Sequence, residues 1–395
     1  MESRRNRRNQ EYIGNKKGKK QNNKWKYICI IMAAVMIFIY YQVYILFNYT
    51  IGGKVTENQI SLYKWMVGKV NKEEVVNKNT SIDIAVLGNI KAKGELLNSY
   101  SNKGVVEYSN IFKNISFDEY DYTIANLNTS IVLDTKPEGK FYSNSKLLQE
   151  LKNISIDMLV ASTQELGQQK EDTIEETLKQ IKKNDMDYVG VDLDNTSKTY
   201  YILDNNNIKI AILAYVDEDY TENDSLNIYS KKQLKEDIKK VKKENVDGII
   251  VFVDTLRSNQ SKVKDEKKDI LKEILDEGAD IVISSDIVEQ NLYENTEKTK
   301  YIKYSLGDVI GLQEIDGSEV SKVLKISIKK EVKDGKNNVS FEVNQDKTLV
   351  ALSNTAVTKY KVVDLDKELL NFDETSDKIT MAEYNYLKKV KENIK

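Results

Sequence analysis

The chain has no histidine among its 395 residues, one cysteine and one proline, and each scarcity removes a class of chemistry. Without imidazole there is no Ser-His-Asp or Cys-His nucleophile, no histidine general base and no histidine-ligated zinc. The single Cys29 lies inside an apolar run, which excludes a disulfide framework, a thiolate zinc site and an exposed cysteine nucleophile. Any metal must be held by oxygen. Arginine is scarce too: Arg4, Arg5, Arg7 and Arg8 crowd the first eight residues, and Arg257 is the only other. Abundant Lys, Asn, Ile and Tyr beside few Arg and Pro also fits an AT-rich coding sequence, a bias that can thin histidine by itself.

What is present is enough for a folded chain, with 40% hydrophobic and 31% charged residues. Residues 27–47 carry no charge. At about 1.5 Å per residue they reach roughly 31 Å, the thickness of a bilayer core, and predict a transmembrane helix. Trp25 and Tyr27 on one side and Tyr40, Tyr41 and Tyr44 on the other fit interfacial anchors. The preceding segment, 1–26, has a net charge of +8 and everything after the helix a net of −10. The positive-inside rule then puts the N-terminus in the cytoplasm and the rest outside. No small-residue cleavage site follows, so an uncleaved signal-anchor in a bacterial cell membrane is expected, with the lipid bilayer as its first partner. The basic segment is read as topogenic, and no nucleic-acid partner is expected. Residues 48–80, with Ile60, Tyr63, Met66, Val67 and Val70 at helical spacing, predict a juxtamembrane stalk.

From Ser81 one pattern recurs: an amphipathic helix, a turn holding an Asp, then an Ile/Val-rich strand. Helices carrying Leu147, Leu148 and Leu151, then Ile174, Leu178 and Ile181, lead through Asp157 and Asp187 to MLVA and YVGV. Two further helices lead through Asp247 and Asp280 to GIIVFV and IVIS. The alternation predicts an α/β domain with largely parallel inner strands, and the Asp residues read as turn formers. VLKISIKKEV and NVSFEVN predict a hairpin, and Met381, Tyr384, Leu387 and Val390 a terminal helix. The expected organisation is an extracytoplasmic domain over 81–350 and a C-terminal extension over 351–395. Chemistry in α/β sheets gathers beyond the carboxyl ends of strands. Those ends carry Asn89, Asn126, Asn128, Ser162, Thr163, Gln164, Asp254, Ser285 and Asp286, all oxygen carriers.

In order and spacing these strand ends resemble the CapA family of poly-γ-glutamate (capsule) biosynthesis proteins, from about Ile82 to Gly311. Tyr304-Ser305-Leu306-Gly307-Asp308 stands where the family has Tyr-Ser-Leu-Gly-Asn, and Ala125-Asn126-Leu127 opens its Ala-Asn-Leu-Glu motif. Gly278-Ala279-Asp280 matches the strand before its Gly-His-His-Pro-His segment. The resemblance implies a calcineurin-like metallophosphatase fold, that is, a metallophosphatase-like α/β sandwich behind the N-terminal transmembrane helix. The departures fall on the metal ligands that the resemblance implies. The family's first-strand Gly-Asp is Gly88-Asn89, its motif Glu is Asn128, and its Ala-Asn-Asn-His is Ala161-Ser162-Thr163-Gln164. Its His-Trp-Gly is Asp254-Thr255-Leu256, and its Gly-His-His-Pro-His is Ser284-Ser285-Asp286-Ile287-Val288.

A dinuclear centre is not expected from this set, and no cofactor is the favoured reading. The alternative is one Mg²⁺ or Ca²⁺ on Asp254 and Asp286, with Asn89, Asn128 and Gln164 as neutral oxygens. Arg257, three residues after Asp254, is a guanidinium able to clamp a carboxylate or phosphate bidentately, or to pair with a nearby acid. The resulting expectation is a membrane-anchored accessory of capsule or poly-γ-glutamate synthesis that has given up metallohydrolase chemistry. It would contact an anionic envelope polymer or a membrane synthase or export complex. A hydrolase with a rebuilt oxygen-only site and a structural ectodomain are the alternatives.

Overall fold

The computed structural model describes residues 79–394, with breaks at 93–100, 103–104, 107, 109–110, 113, 133–140, 194–199, 222, 259, 312–314, 334–335, 353–359 and 374–378, together with positions 32, 34–41 and 44. The chain separates into two units, Met1–Val76 and Asn77–Lys395. In the first unit the described positions are helical, and Met32, Met36, Ile37, Phe38 and Ile39 are exposed. Most of the predicted 27–47 span and nearly all of the 48–80 stalk lie outside the described residues. Among the described residues, no helix is long and apolar enough to cross a membrane.

In the second unit the main strands are β1 (Asn79–Ile90), β2 (Tyr122–Leu127), β3 (Met158–Val160), β4 (Asp187–Val189), β5 (Tyr200–Asn205), β6 (Ile208–Val216) and β7 (Gly248–Asp254). They are followed by β8 (Ile281–Ser284), β9 (Glu289–Glu294), β10 (Tyr301–Leu306), β11 (Asp308–Ile310), β12 (Val320–Lys333), β13 (Lys336–Leu352) and β14 (Lys361–Asp364). The helices are α1 (Ser145–Asn153), α2 (Gln164–Gly167), α3 (Glu171–Lys183), α4 (Lys231–Lys242), α5 (Asp265–Asp276), α6 (Leu365–Leu370) and α7 (Met381–Asn393). One sheet has the order β14-β13-β12-β1-β2-β3-β4, with β11 also pairing β1; the other has β9-β10-β8-β7-β6-β5. Strands β1 to β4, and β6, β7, β8 and β10, run parallel; β4 is a parallel edge, and the other edge strands, β14, β9 and β5, are antiparallel to their neighbours.

Alternation within the Ile/Val runs builds four layers. Ile82, Ile84 and Val86 of β1 face the other sheet, sharing one core with Ile210, Ile212, Ile250, Phe252 and Ile283. The intervening Ala85 and Leu87 face outward under Leu148 and Leu151 of α1 and Ile174, Leu178 and Ile181 of α3. On the far side, Leu213 and Val251 lie beneath Leu234 and Ile238 of α4 and Leu271 and Ile274 of α5. Both faces of each inner strand are therefore dry, which is why these strands read as continuous apolar runs. This is the metallophosphatase-like α/β sandwich expected from the resemblance.

The aspartates before the strands do more than turn the chain. Asp121, Asp157, Asp247 and Asp280 each accept from the backbone N–H of Asp83, Thr123, Lys209 and Ile249, at 2.8–2.9 Å. Each returns its own N–H to the carbonyl of that same residue. Every such Asp thus pins the start of one strand to the start of its neighbour and fixes register. Asp157→Ala should lower stability by about 1–2 kcal/mol, because it orphans the Thr123 N–H. The check is the urea midpoint at unchanged slope.

Two glycines set the spacing at the site end. A Cβ on Gly88 would lie 1.9 Å from the Gly307 carbonyl oxygen, and Gly307 itself has φ +78°. Only glycine lets β1 and the turn into β11 approach this closely, so that Asn89 N–H reaches Gly307 O at 3.0 Å.

The predicted hairpin is β12–β13, longer than its sequence signal, with Lys333 opposite Lys336 at its end. β13 runs on to Leu352 and takes β14 as a partner, so the 350/351 boundary falls within a strand. The terminal helix α7 has a capping box from Thr380 and Glu383 and buries Leu387 and Val390 against Val350, Leu352 and Val363. Met381 of the predicted stripe stays exposed.

Candidate functional site

The strand ends converge into a buried polar layer with three centres. Asn89, after the close glycine contact, is the first. Its Nδ2 donates to Asp308 Oδ1 at 2.7 Å and to the Asp286 carbonyl at 2.9 Å. Its Oδ1 accepts from Ser285 Oγ at 2.8 Å and Asn126 Nδ2 at 3.4 Å. The second centre is Asp286, whose Oδ2 accepts from Ser258 N–H at 2.7 Å, Ser258 Oγ at 2.9 Å and Gln290 Nε2 at 3.1 Å. Lys267 lies 3.8 Å from that oxygen and donates to the Ser285 carbonyl. Burial pulls the Lys267 ammonium down to about 8, although Asp286 and Asp254 oppose the shift.

Arg257 is the third centre. Leu256 has φ +40°, a left-handed conformation that lets the chain double back after β7. The Arg257 N–H donates to the Tyr220 hydroxyl at 2.9 Å, and Thr255 Oγ1 bonds Asp217 in the same loop. The guanidinium then lies between two carboxylates. Nε donates to Asp254 Oδ1 at 2.8 Å, Nη1 to Glu165 Oε1 at 2.7 Å, and Nη2 to Glu165 Oε2 at 3.0 Å and to Asp254 Oδ2. Glu165 also takes Lys91 Nζ at 2.7 Å and Asn128 Nδ2 at 2.7 Å. Arg257, Glu165 and Asp254 are 7%, 5% and 3% exposed, so the charges are compensated inside the protein. Burial alone would raise the Glu165 carboxyl, but Arg257 and Lys91 outweigh it and bring it to about 2. Burial would likewise lower Arg257, and Asp254 and Glu165 hold it well above its ordinary value.

The structure thus brings together Asn89, Asn126, Ser285 and the Asp286 carbonyl around the first centre, the Asp286 carboxylate with Ser258 and Gln290 at the second, and Asn128, Asp254 and Arg257 around the third through Glu165. Gln164 meets Asp254 through its backbone N–H, at 2.9 Å. Thr163 turns back to the Leu127 carbonyl. Successive residues serve the two carboxylates, Arg257 donating to Asp254 and Ser258 to Asp286. Arg257 pairs with nearby acids, Glu165 and Asp254, one of the readings its chemistry allowed. Sequence reasoning missed Glu165, Lys91 and Asp308. The available signal was Arg257 itself, since a lone arginine on a strand-end rim needs an acid, and Glu165 adjoins Gln164.

Among the described residues, no three acidic or sulfur side chains are grouped so as to hold a metal. The residues do not fit the metal centre that the resemblance implies, because a guanidinium lies between the two carboxylates best placed to bind an ion. A cavity of about 10 Å³ lined by Asn126, Ser162, Thr163, Asp254 and Ser285 is the space left inside the layer. That is room for one water molecule. Outside it, Tyr220 forms part of the wall of an open cleft of about 1000 Å³ whose rim carries Glu171, Asp192, Glu218, Asp219 and Asp224 against Lys170.

A family model for the bacterial capsule synthesis protein PGA_cap matches residues 83–313, more than half of the chain. The chain belongs to that family. The match spans the sandwich from β1 to just past β11, including every strand end of the polar layer. PGA_cap membership ties the chain to capsule synthesis. No curated protein matches it. Similar solved structures include a hypothetical protein from Thermus thermophilus, at 13% identity over 67% of this chain and 100% of that one, with TM-score 0.38. Vacuolar Protein Sorting 29 from Cryptosporidium parvum is 12% identical over 67% and 100%, with TM-score 0.25. A 5'-nucleotidase from Candida albicans is 13% identical over 64% and 52%, with TM-score 0.37. These likenesses are remote and bear on neither the site nor the function.

Proposed function

We propose that this PGA_cap chain is a membrane-anchored, non-catalytic accessory of capsule or related envelope-polymer synthesis or export. The observation that carries the reading is the Arg257 guanidinium, buried between Glu165 and Asp254 at the strand ends where the resemblance implies metal ligands. A divalent-metal hydrolase needs an ion with an open position for water or substrate. Here the carboxylates are already neutralised from within. Anchoring is supported by the charge-free 27–47 segment and its +8 and −10 flanks.

Both the net −10 after that segment and the acidic cleft rim favour a protein partner, such as a synthase or export complex, over direct capture of polyglutamate. The test uses the full chain purified from membranes in detergent. After incubation with Mg²⁺, Ca²⁺ or Mn²⁺ and dialysis, elemental analysis should find no stoichiometric metal, and phosphodiester and γ-glutamyl substrates should not turn over. Metal-dependent turnover abolished by Asp254→Ala with Asp286→Ala would replace this reading with a hydrolase using a rebuilt Mg²⁺ or Ca²⁺ site.

A further inference from the structure

We propose that the groove between α5 and the edge strand β9 is a binding site for an acidic saccharide, a sugar ring bearing a carboxylate, as found in an acidic envelope polysaccharide. The inference goes beyond the accessory reading. The groove lies where β8 and β10 begin, at the opposite end of the sheet from the polar layer. Three observations carry it.

The first is the cavity itself. It has a volume of about 300 Å³, and Lys272, Asp276, Gly278, Tyr293, Asn295 and Lys300 contribute to its walls. That is the lower end of the range for small-ligand sites, about 300–1,000 Å³, and fits one unit of a chain rather than a folded partner. One wall is ordered in advance. Asn295 Oδ1 accepts from the N–H groups of Thr299 and Lys300 at 2.8 and 3.0 Å, which holds the turn from β9 into β10. A ligand docking there does not bear the entropy of ordering that turn.

The second is an aromatic face. Tyr293 is 41% exposed, and among the described residues of the sandwich it is the only exposed large apolar side chain. The others in the second unit, Leu370, Met381 and Ile394, lie in the C-terminal extension. A lone exposed aromatic is ordinary on a surface. This one is a wall of the cavity. The C–H face of a sugar ring is apolar and faintly positive, and the face of a tyrosine ring is apolar and faintly negative, so the two stack.

The third is charge. Lys272 and Asp276 lie one turn apart on α5, yet neither has an ion pair among the described residues. Lys300 donates two of its ammonium protons, to the Ala279 carbonyl and to Asp280, and keeps one. Lys242 of α4 reaches the floor from the other side. A Cβ on Gly278 would lie 2.8 Å from its Nζ, and the glycine's φ of +123° is a conformation that leaves this spot bare. Three ammonium groups therefore adjoin the cavity, against Asp276 and the Asp280 already paired with Lys300. That excess favours a carboxylate on the ligand, while Asp276 is an acceptor for sugar hydroxyls. A polyanion without rings would meet the lysines and leave the Tyr293 face uncovered.

The test is titration calorimetry of the full chain in detergent with tetramers of glucuronate and of galacturonate. Wild type should bind at least one of them saturably. Tyr293→Ala should weaken that binding about fivefold and Lys272→Ala about tenfold, while Tyr293→Phe leaves it nearly unchanged. Both side chains are exposed, so the melting temperature should not move in any of these variants. Neutral cellotetraose and a short poly-γ-glutamate should each bind about tenfold more weakly than the uronate. No saturable binding of either uronate overturns the proposal. So does uronate binding that Tyr293→Ala leaves intact, or that cellotetraose or poly-γ-glutamate equals. Failure here leaves the accessory reading standing, because that reading rests on the opposite end of the sheet.

Discussion

Glu165→Ala should lower stability by about 3–5 kcal/mol, the usual cost of breaking a buried ion pair from one side. The residue accepts from Arg257 Nη1 and Nη2, Lys91 Nζ and Asn128 Nδ2, groups whose side chains are at most 11% exposed. Its removal leaves an arginine shared with Asp254 alone and a lysine without its carboxylate. Glu165→Gln keeps an acceptor oxygen and the side-chain volume but loses the charge, so its cost should be smaller, roughly half. Chemical denaturation of both variants at pH 7 separates these values. Equal, sub-kcal effects would mean that the cluster is not the structural keystone described above.

The same residue dictates an acid response. Its folded carboxyl lies at about 2, below an ordinary value near 4.5. A depressed group contributes stability that is complete above the unfolded value and lost as pH falls toward the folded one. Wild type should therefore weaken between about pH 4.5 and pH 2, and Glu165→Gln should lose that part of its acid sensitivity.

Asp308→Asn should raise stability at pH 8 by about 2–4 kcal/mol and have little effect near pH 4. Burial pushes the Asp308 carboxyl up to about 7, with Lys91 and Asn89 opposing the shift. The group is raised in the folded state, so its contribution is fully present below the unfolded value near 3.8 and is lost as pH rises through about 7. Asparagine has no charge to bury, and its Oδ1 can accept from Asn89 Nδ2 as the aspartate does. The substitution also restores the residue that the capsule-family pattern has there. Relative to that pattern, Asn89 and Asp308 have exchanged amide and acid while remaining 2.7 Å apart. Denaturant midpoints for both proteins at pH 4, 6 and 8 test the sign directly. A gain independent of pH would show that packing, not ionisation, is responsible.

How much of this was legible beforehand differs between the scaffold and the site. Strands β3, β7 and β8, the apolar faces of α1, α3, α4 and α5, and the hairpin follow from local periodicity, because each pattern records which sides of an element are dry. The resemblance added the order of the strand ends and the sandwich. The Asp residues before the strands were visible only as turn formers, because their acceptor role depends on a neighbouring strand about forty residues away or fewer. Asn89, Asn128, Asp254 and Asp286 were identified as a set, but not which would bond which.

By itself the sequence determined the chemistry available: no imidazole, no usable thiol, one arginine beyond the N-terminal segment, and strand ends tipped with amides and carboxylates. It also determined the α/β alternation, which depends on residues close together in the chain. Only the tertiary structure decided that Arg257 turns inward and that Glu165, 92 residues away in sequence, is its partner. The physical reason is that charge pairing in a dry layer is set by distances across packed sheets. No local pattern encodes those distances, and there an uncompensated charge costs more than any propensity can offset.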